Sequence, residues 1–436
     1  MESLTSSGHF GTRAWLICGV LLLATMLNYM DRQALAVTLP TLKNEFSLTE
    51  SRVGMVEGCF GYAFAFGSIL FGLLADRWGP RWLYPIVLIG WSLAGIATAG
   101  AGQTWITDWF ESSGDLPGTG TYRWLLLCRV VLGVFEAGHW PCALLTVRAI
   151  LPPQGLALGN GILQSGASIG AVAVPLYIEA AERSGFTWEF PFWSIGLVGL
   201  VWVPLWLVVV RDQELRLPLG YSIPSKPLVG DRRLLVRRLG VLVVVIASLT
   251  ISWQFLRAWL GLFLQDYHGY SKLATRGIMS AYFIVADVGC ILSGLLVARL
   301  ASRGWVVEDA RRLGYLIFSL LAVGACLVPF AGSGALMVTL LLVAGAGILG
   351  LHPYYYAFTQ ELSAKRMGIL SGGLAAWGWV ASSLWQIRIG SLIEQTRSYG
   401  LGLVIVGLVP LAGCLVLFLF WPRSQRDVAK PIPVDG

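Results

Sequence analysis

Long apolar runs alternate with short polar stretches along the chain. A helix crosses the hydrocarbon core of a bilayer in about 20 predominantly apolar residues. Runs of that length predict helices near 14–40, 52–76, 82–103, 122–148, 155–182 and 190–211. A polar, basic stretch from Asp212 to Arg238 interrupts the series. A second set follows near 239–265, 274–302, 312–332, 335–360, 367–394 and 401–422. The expected architecture is an all-α membrane protein of twelve transmembrane helices in two six-helix bundles, residues 1–212 and 239–436, joined by a cytoplasmic linker loop at 213–238. Residues 1–13 read as a short polar tail. The run behind them is too long for a signal-peptide core, so no cleaved leader is expected.

Composition agrees. Of 436 residues, 56% are hydrophobic and only 13% charged, against about 25% charged in soluble domains, and the mean hydropathy is +0.70. The net charge of +7 does not point to nucleic acid. The basic residues sit at the ends of apolar runs, not in a patch interleaved with aromatics. With the N-terminus inside, the cytoplasmic segments collect most of the Lys and Arg, among them Arg77, Arg81, Arg148, Arg211, Arg232, Arg233, Arg299, Arg311 and Arg366. The outer loops keep few, and carry the acidic cluster Asp108, Glu111 and Asp115. Both termini are therefore expected on the cytoplasmic side. The seven cysteines all fall in apolar segments without paired spacing, so neither a disulfide framework nor a metal site is expected, and no cofactor.

Charges inside apolar spans carry the functional signal. Arg32, Arg129, Arg257 and Arg388 fall there, with Asp31, Glu136 and Asp287. A charge at a helix centre costs roughly 2.5–3.5 kcal/mol on insertion scales, so such residues face a pathway or a partner. At a rise of 1.5 Å per residue, Asp31 and Arg32 lie roughly 25 Å from the cytoplasmic end, Arg129 and Arg257 at about that level, and Glu136 about 10 Å from Arg129 along the helix. Arg129 and Glu136 are almost two turns apart and project from one face. Acids and arginines on three helices near one level form a cavity lining; ion-paired staples without a ligand are the competing explanation. Arginine grips a carboxylate bidentately and stays charged, so Arg32, Arg129 and Arg257 are candidate anion ligands. Asp31 and Glu136 are candidate proton sites, each able to trade an arginine partner for a proton. Arg388 and Asp287 are equally well explained by snorkelling and by local pairing.

Tyr62, Gln164 and Trp377 are candidate substrate contacts offering a hydroxyl, an amide and a ring face. Asn160, Trp253, Gln254, Tyr355, Tyr356, Gln360 and Gln386 are further polar or aromatic residues within spans. Each is explained at least as well by interhelical packing. His139 and His352 are candidate proton relays, although a lone histidine is more often structural.

Gly72-Leu73-Leu74-Ala75-Asp76-Arg77-Trp78-Gly79-Pro80-Arg81 resembles the loop motif between helices two and three of the major facilitator superfamily. The resemblance implies that fold and a cytoplasmic latch formed by Gly72, Asp76, Arg77, Gly79 and Arg81. A fainter copy, Gly294-Leu295-Leu296-Val297-Ala298-Arg299, closes the second helix of the second half, with Ala298 in place of the acid. Within the superfamily, Asn28-Tyr29-Met30-Asp31-Arg32, together with Arg129 and Glu136, resembles the anion:cation symporter family. The stretches Phe135–Cys142 and Leu158–Gly166 are similar to hexuronate carriers. By that resemblance Asp31 and Glu136 are proton sites, Arg32 and Arg129 serve the anion, and the membrane is a bacterial inner membrane.

The expected function is proton-coupled symport of a hexuronate or related sugar acid by alternating access, the chain acting as a monomer with protons, a small organic anion and lipid as its partners. A carrier of another organic anion working by uniport or exchange, and a non-transporting receptor on the same scaffold, are the alternatives. An enzyme is not expected, because no His-Glu-x-x-His motif is present.

Overall fold

In the computed structural model, residues 12–151, 156–215, 232–360, 362 and 367–422 are described. Among them there are helices and no strands. A bilayer imposes this, since a lone helix satisfies its own backbone hydrogen bonds where no water can. Among the described residues, eleven helices are long and apolar enough to cross a membrane. They are α1 (Thr12–Phe46), α2 (Glu50–Trp78), α3 (Pro80–Gly102), α4 (Thr119–Ile150), α5 (Gly161–Arg183), α6 (Phe190–Val209), α7 (Arg233–Tyr267), α8 (Lys272–Ser302), α9 (Val307–Phe330), α10 (Ala335–Thr359) and, last in the chain, α12 (Gly400–Phe420). The remaining long helix, α11 (Met367–Thr396), has the length to span, but glycines, serines and glutamines dilute its apolar character.

Local chemistry marks the joints. Thr49 caps α2, its hydroxyl accepting from Arg52 N–H at 3.3 Å. Gly79 ends α2 at φ 71°, a conformation glycine adopts without strain, and Pro80 opens α3 at its first position. The fourth span is two helical pieces, Thr119–Glu136 and His139–Ile150. On α5, Gly166 and Gly170 let the helix lie directly against the backbone of α1: an added Cβ would sit 2.4 Å from Leu22 O and 2.5 Å from Met26 O.

The chain forms two compact units. The first comprises Met1–Ile223, Arg257–Ile284 and Ser382–Ser398. It thus holds α1 to α6 with segments of α7, α8 and α11. The second comprises Pro224–Leu256, Val285–Ala381 and Tyr399–Gly436. Its core is apolar and aromatic, built from Val241, Leu242, Val245, Tyr315, Phe318, Tyr354, Phe358, Leu417 and Trp421. Two of its buried hydroxyls go to backbone: Ser252 donates to Val406 O at 2.7 Å and Tyr354 to Ser293 O at 3.0 Å. Of the linker expected at 213–238, residues 216–231 lie outside the described residues.

Candidate functional site

The first unit buries a cluster of ionisable side chains from α1, α2, α4 and α7. Asp31, Arg32, Glu57, Arg129, Glu136 and Arg257 are each at most 4% exposed. Arg32 donates to Glu136 through Nε at 2.9 Å and Nη2 at 2.6 Å, and Nη2 also reaches Asn28 Oδ1 at 3.3 Å. The same guanidinium lies 5.1 Å from the ring centres of Tyr29 and Phe64 and 5.4 Å from that of Phe60. Arg129 covers the Phe60 ring at 4.8 Å. Phe60 is therefore shared by two cations, whose charge its π-face tolerates.

Glu57 holds the other two arginines. Its Oε1 accepts from Arg129 Nη2 at 3.1 Å, and its Oε2 accepts from Arg257 Nη2. One carboxylate on α2 thus ties α4 to α7. Glu136 also lies within the electrostatic reach of Arg129 and Arg257. The two ion-paired groups form a single electrostatic system.

Asp31 stands apart. Although it is next to Arg32 in sequence, one helical residue turns its side chain by about 100°. Its Oδ1 points at α3, where an added Cβ on Gly95 would lie 2.9 Å away. Among the described residues, neither carboxyl oxygen has a hydrogen-bond partner. Asp31 is within electrostatic reach of Glu136 and Arg129.

The other sequence candidates are placed as follows. Tyr62 is half-buried on α2 and Gln164 is exposed on α5. Trp377 lies in the second unit, 41% exposed, with its indole N–H on Val243 O at 3.1 Å. The side chains of Asn160 and Gln360 lie outside the described residues. His139 is fully buried with both ring nitrogens engaged, Nε2 with Thr25 Oγ1 at 3.1 Å and Nδ1 with Tyr84 Oη at 2.8 Å. Both ring nitrogens are thus taken up by hydroxyls of α1 and α3. His352, in the second unit, has Nδ1 3.2 Å from Ile348 O and its ring beside Trp253. Arg388 is exposed and Asp287 half-buried. Gln386 accepts from Trp259 Nε1 at 2.6 Å.

Of the loop motif, Asp76 and Arg77 are exposed. Arg81 caps the end of α6, donating to Leu207 O at 3.0 Å and to Trp206 O at 3.4 Å. A cation against carbonyls at a helix C-terminus is favourable. An added Cβ at Gly72 would meet nothing within 4 Å. The turn at Gly79 is the motif's one strict backbone demand.

A second set of polar contacts closes one end of the first unit. Lys43 on α1 reaches Glu50 at 2.9 Å and Asp266 at 2.7 Å. Arg276 on α8 grips Glu179 at 2.8 Å and Glu182 at 2.5 Å on α5. Ser51 N–H donates to Glu394 at 2.9 Å. Between these contacts α2 and α11 touch backbone to backbone: a Cβ on Gly54 would lie 2.4 Å from Gln386 O and 3.0 Å from Gly390 Cα.

Helices of spanning length, a buried ionic cluster and a clasp at the helix ends describe a carrier. The family model of the Major Facilitator Superfamily matches residues 21–386. The chain belongs to that superfamily. It is 26% identical over 431 residues to a probable sulfoacetate transporter of Cupriavidus necator, covering 94% of this chain and 95% of that one. It is 24% identical to a probable galactarate/D-glucarate transporter of Bacillus subtilis, covering 98% and 96%. It is 23% identical to a hexuronate transporter of the same organism, covering 95% and 96%. The crystal structure of a bacterial homolog to the human lysosomal transporter Spinster superposes with a TM-score of 0.71 at 19% identity, covering 98% of this chain and all of that one. These relatives are transporters, those of galactarate/D-glucarate and of hexuronate among them, and not enzymes.

Sequence reasoning missed Glu57. The signal was available, an acid within an apolar span like the others. It lies only about 10 Å along the helix from Glu50, close enough to the predicted helix start to pass for an interfacial residue.

Proposed function

We propose that this protein is a proton-coupled symporter of a small organic anion, with sugar acids such as hexuronates and aldonates as its substrate class. The observation that carries the reading is the buried set of three arginines and three acids in which, among the described residues, Asp31 alone has no hydrogen-bond partner. Burying a carboxylate without hydrogen bonds is expensive, and protonation removes that cost. With all six side chains ionised the set sums to zero. With a proton on Asp31 it carries one positive charge, which one substrate carboxylate cancels. Proton and anion then favour each other's binding, and the coupling is reciprocal.

Asp31 and Glu136 are the proton sites in this account, and Arg32, Arg129 and Arg257 the anion ligands. Glu136 exchanges its hold on Arg32 for a proton. Arg32 is then free to take a carboxylate in its planar fork. Tyr62 and Gln164 offer a hydroxyl and an amide to the sugar hydroxyls. Trp377 offers a ring face, its N–H being engaged. The halves 1–212 and 239–436 act as two six-helix bundles that expose the anion to one face of the membrane and then the other, and the Gly72–Arg81 segment serves as their latch on the cytoplasmic side. The excess of Lys and Arg on one set of loops supports a plasma (bacterial inner) membrane location with both termini cytoplasmic. The relatives that carry galactarate, D-glucarate and hexuronates support the substrate class.

The test is uptake of labelled D-glucuronate into proteoliposomes under an inward proton gradient. Accumulation that collapses with an uncoupler is the expected result. Accumulation indifferent to the uncoupler rejects the coupling, and no uptake of any sugar acid rejects the substrate class.

A further inference from the structure

Both arginines that the anion needs beyond Arg32 are already held by Glu57. Its carboxylate spends one oxygen on Arg129 and the other on Arg257, with all three side chains at most 3% exposed. A carboxylate gripped by guanidinium groups is the geometry expected for the carboxylate of an organic acid. The position of Arg257 adds a consequence: α7 belongs to the second unit as far as Leu256 and to the first from Arg257 onward. The Glu57–Arg257 contact therefore fastens α2 to the residue at which α7 passes from one unit to the other.

We infer that Glu57 is a tethered counter-ion occupying the place of the substrate carboxylate, and that the incoming anion displaces it from Arg257. The inference rests on the organic-anion reading above and deepens it. In the empty carrier Glu57 supplies the carboxylate that accepts from two buried arginines, and taking it away without replacement is costly. Substrate supplies the same charge from outside, so Glu57 is exchanged and α7 is released from α2. The tether sets two properties. It lowers substrate affinity by competition, and it lets the carrier return empty.

The experiment compares wild type with Glu57→Gln in D-glucuronate binding to purified protein and in two proteoliposome assays, net uptake and exchange of internal for external glucuronate. The expected variant binds about tenfold more tightly (about 1.4 kcal/mol), keeps exchange and loses net uptake. Equal or weaker binding by the variant, with wild type transporting normally, overturns the inference and leaves the anion reading intact. Wild type that neither binds nor transports a sugar acid overturns that reading; if Glu57→Gln also binds none, both fail, since arginines relieved of their tether would hold a carboxylate. Should Glu57→Gln not fold, Glu57→Asp carries the test. It keeps the charge but is one methylene too short to reach both arginines. Tighter binding than wild type supports the inference, and equal or weaker binding overturns it.

Discussion

The first unit uses the same chemistry twice, arginine or lysine against carboxylate, in two different settings. In the cluster of Arg32, Glu57, Arg129, Glu136 and Arg257 both partners of each pair are sealed, with side chains at most 4% exposed. In the clasp, Lys43 is 17% exposed against Asp266 at 18%, and Arg276, itself buried, faces carboxylates at 18% and 24%. Burial decides what such a pair does. A sealed pair costs much to form and much to break on one side, so it holds a defined charge state until something of equal charge arrives. A half-wet pair contributes little net stability and can open and close without a large barrier. On the proposed function, the cluster recognises charge and the clasp opens and closes reversibly.

The sharpest break of this contrast is Arg32→Gln. It leaves Glu136 buried without its cation, so a loss of about 3–5 kcal/mol is expected, read as a fall in melting temperature of the detergent-purified protein. Uptake is abolished with it. Adding Glu136→Gln restores much of the stability and none of the uptake.

Next in size is Gly390→Val in the clasp. The space beside Gly390 is filled by Glu50 O, 2.5 Å from an added Cβ, and by the Gly54 backbone. Overpacking of this kind costs about 1–3 kcal/mol. Here the cost falls on the closed arrangement alone. The expected outcome is slowed transport with α2 and α11 held apart, measured as increased labelling of a cysteine introduced at Ser51.

Asp31→Asn tests the cluster from its unpaired member. Because the carboxyl oxygens have no partner among the described residues, the isosteric amide changes stability by less than about 1 kcal/mol. Gradient-driven accumulation disappears while counterflow persists. Loss of both activities together would show a structural role instead.

The smallest effect is assigned to Lys43→Ala, at about 0–1 kcal/mol, with transport reduced at most modestly and less so as salt is raised. A loss as large as that of Arg32→Gln would erase the distinction between the two sites.

Much of the fold was readable from apolar run lengths, because a bilayer leaves a chain few alternatives to spanning helices. Helix ends also followed local chemistry, as at Thr49 and Gly79-Pro80. The break in α4 between Glu136 and His139 was not readable from apolar content, which continues through it. The buried charges other than Glu57 were legible because each is expensive, but their pairing was not. Arg129 and Glu136 share a helix face, yet each finds its partner on a different helix, Arg129 on α2 and Glu136 on α1. Such pairings depend on interhelical register, which periodicity within one helix does not contain. Asp31 shows the same limit: beside Arg32 in sequence, it faces α3 and Gly95. The two hydroxyl partners of His139, from α1 and α3, were likewise not contained in its own helix.

Whether anion binding and proton binding at the buried cluster are one event is tested by adding D-glucuronate to purified protein in weakly buffered solution and following pH. Binding should draw protons from the medium in the wild type and draw markedly fewer in Asp31→Asn. Saturable glucuronate binding with no proton uptake in the wild type would contradict the coupling.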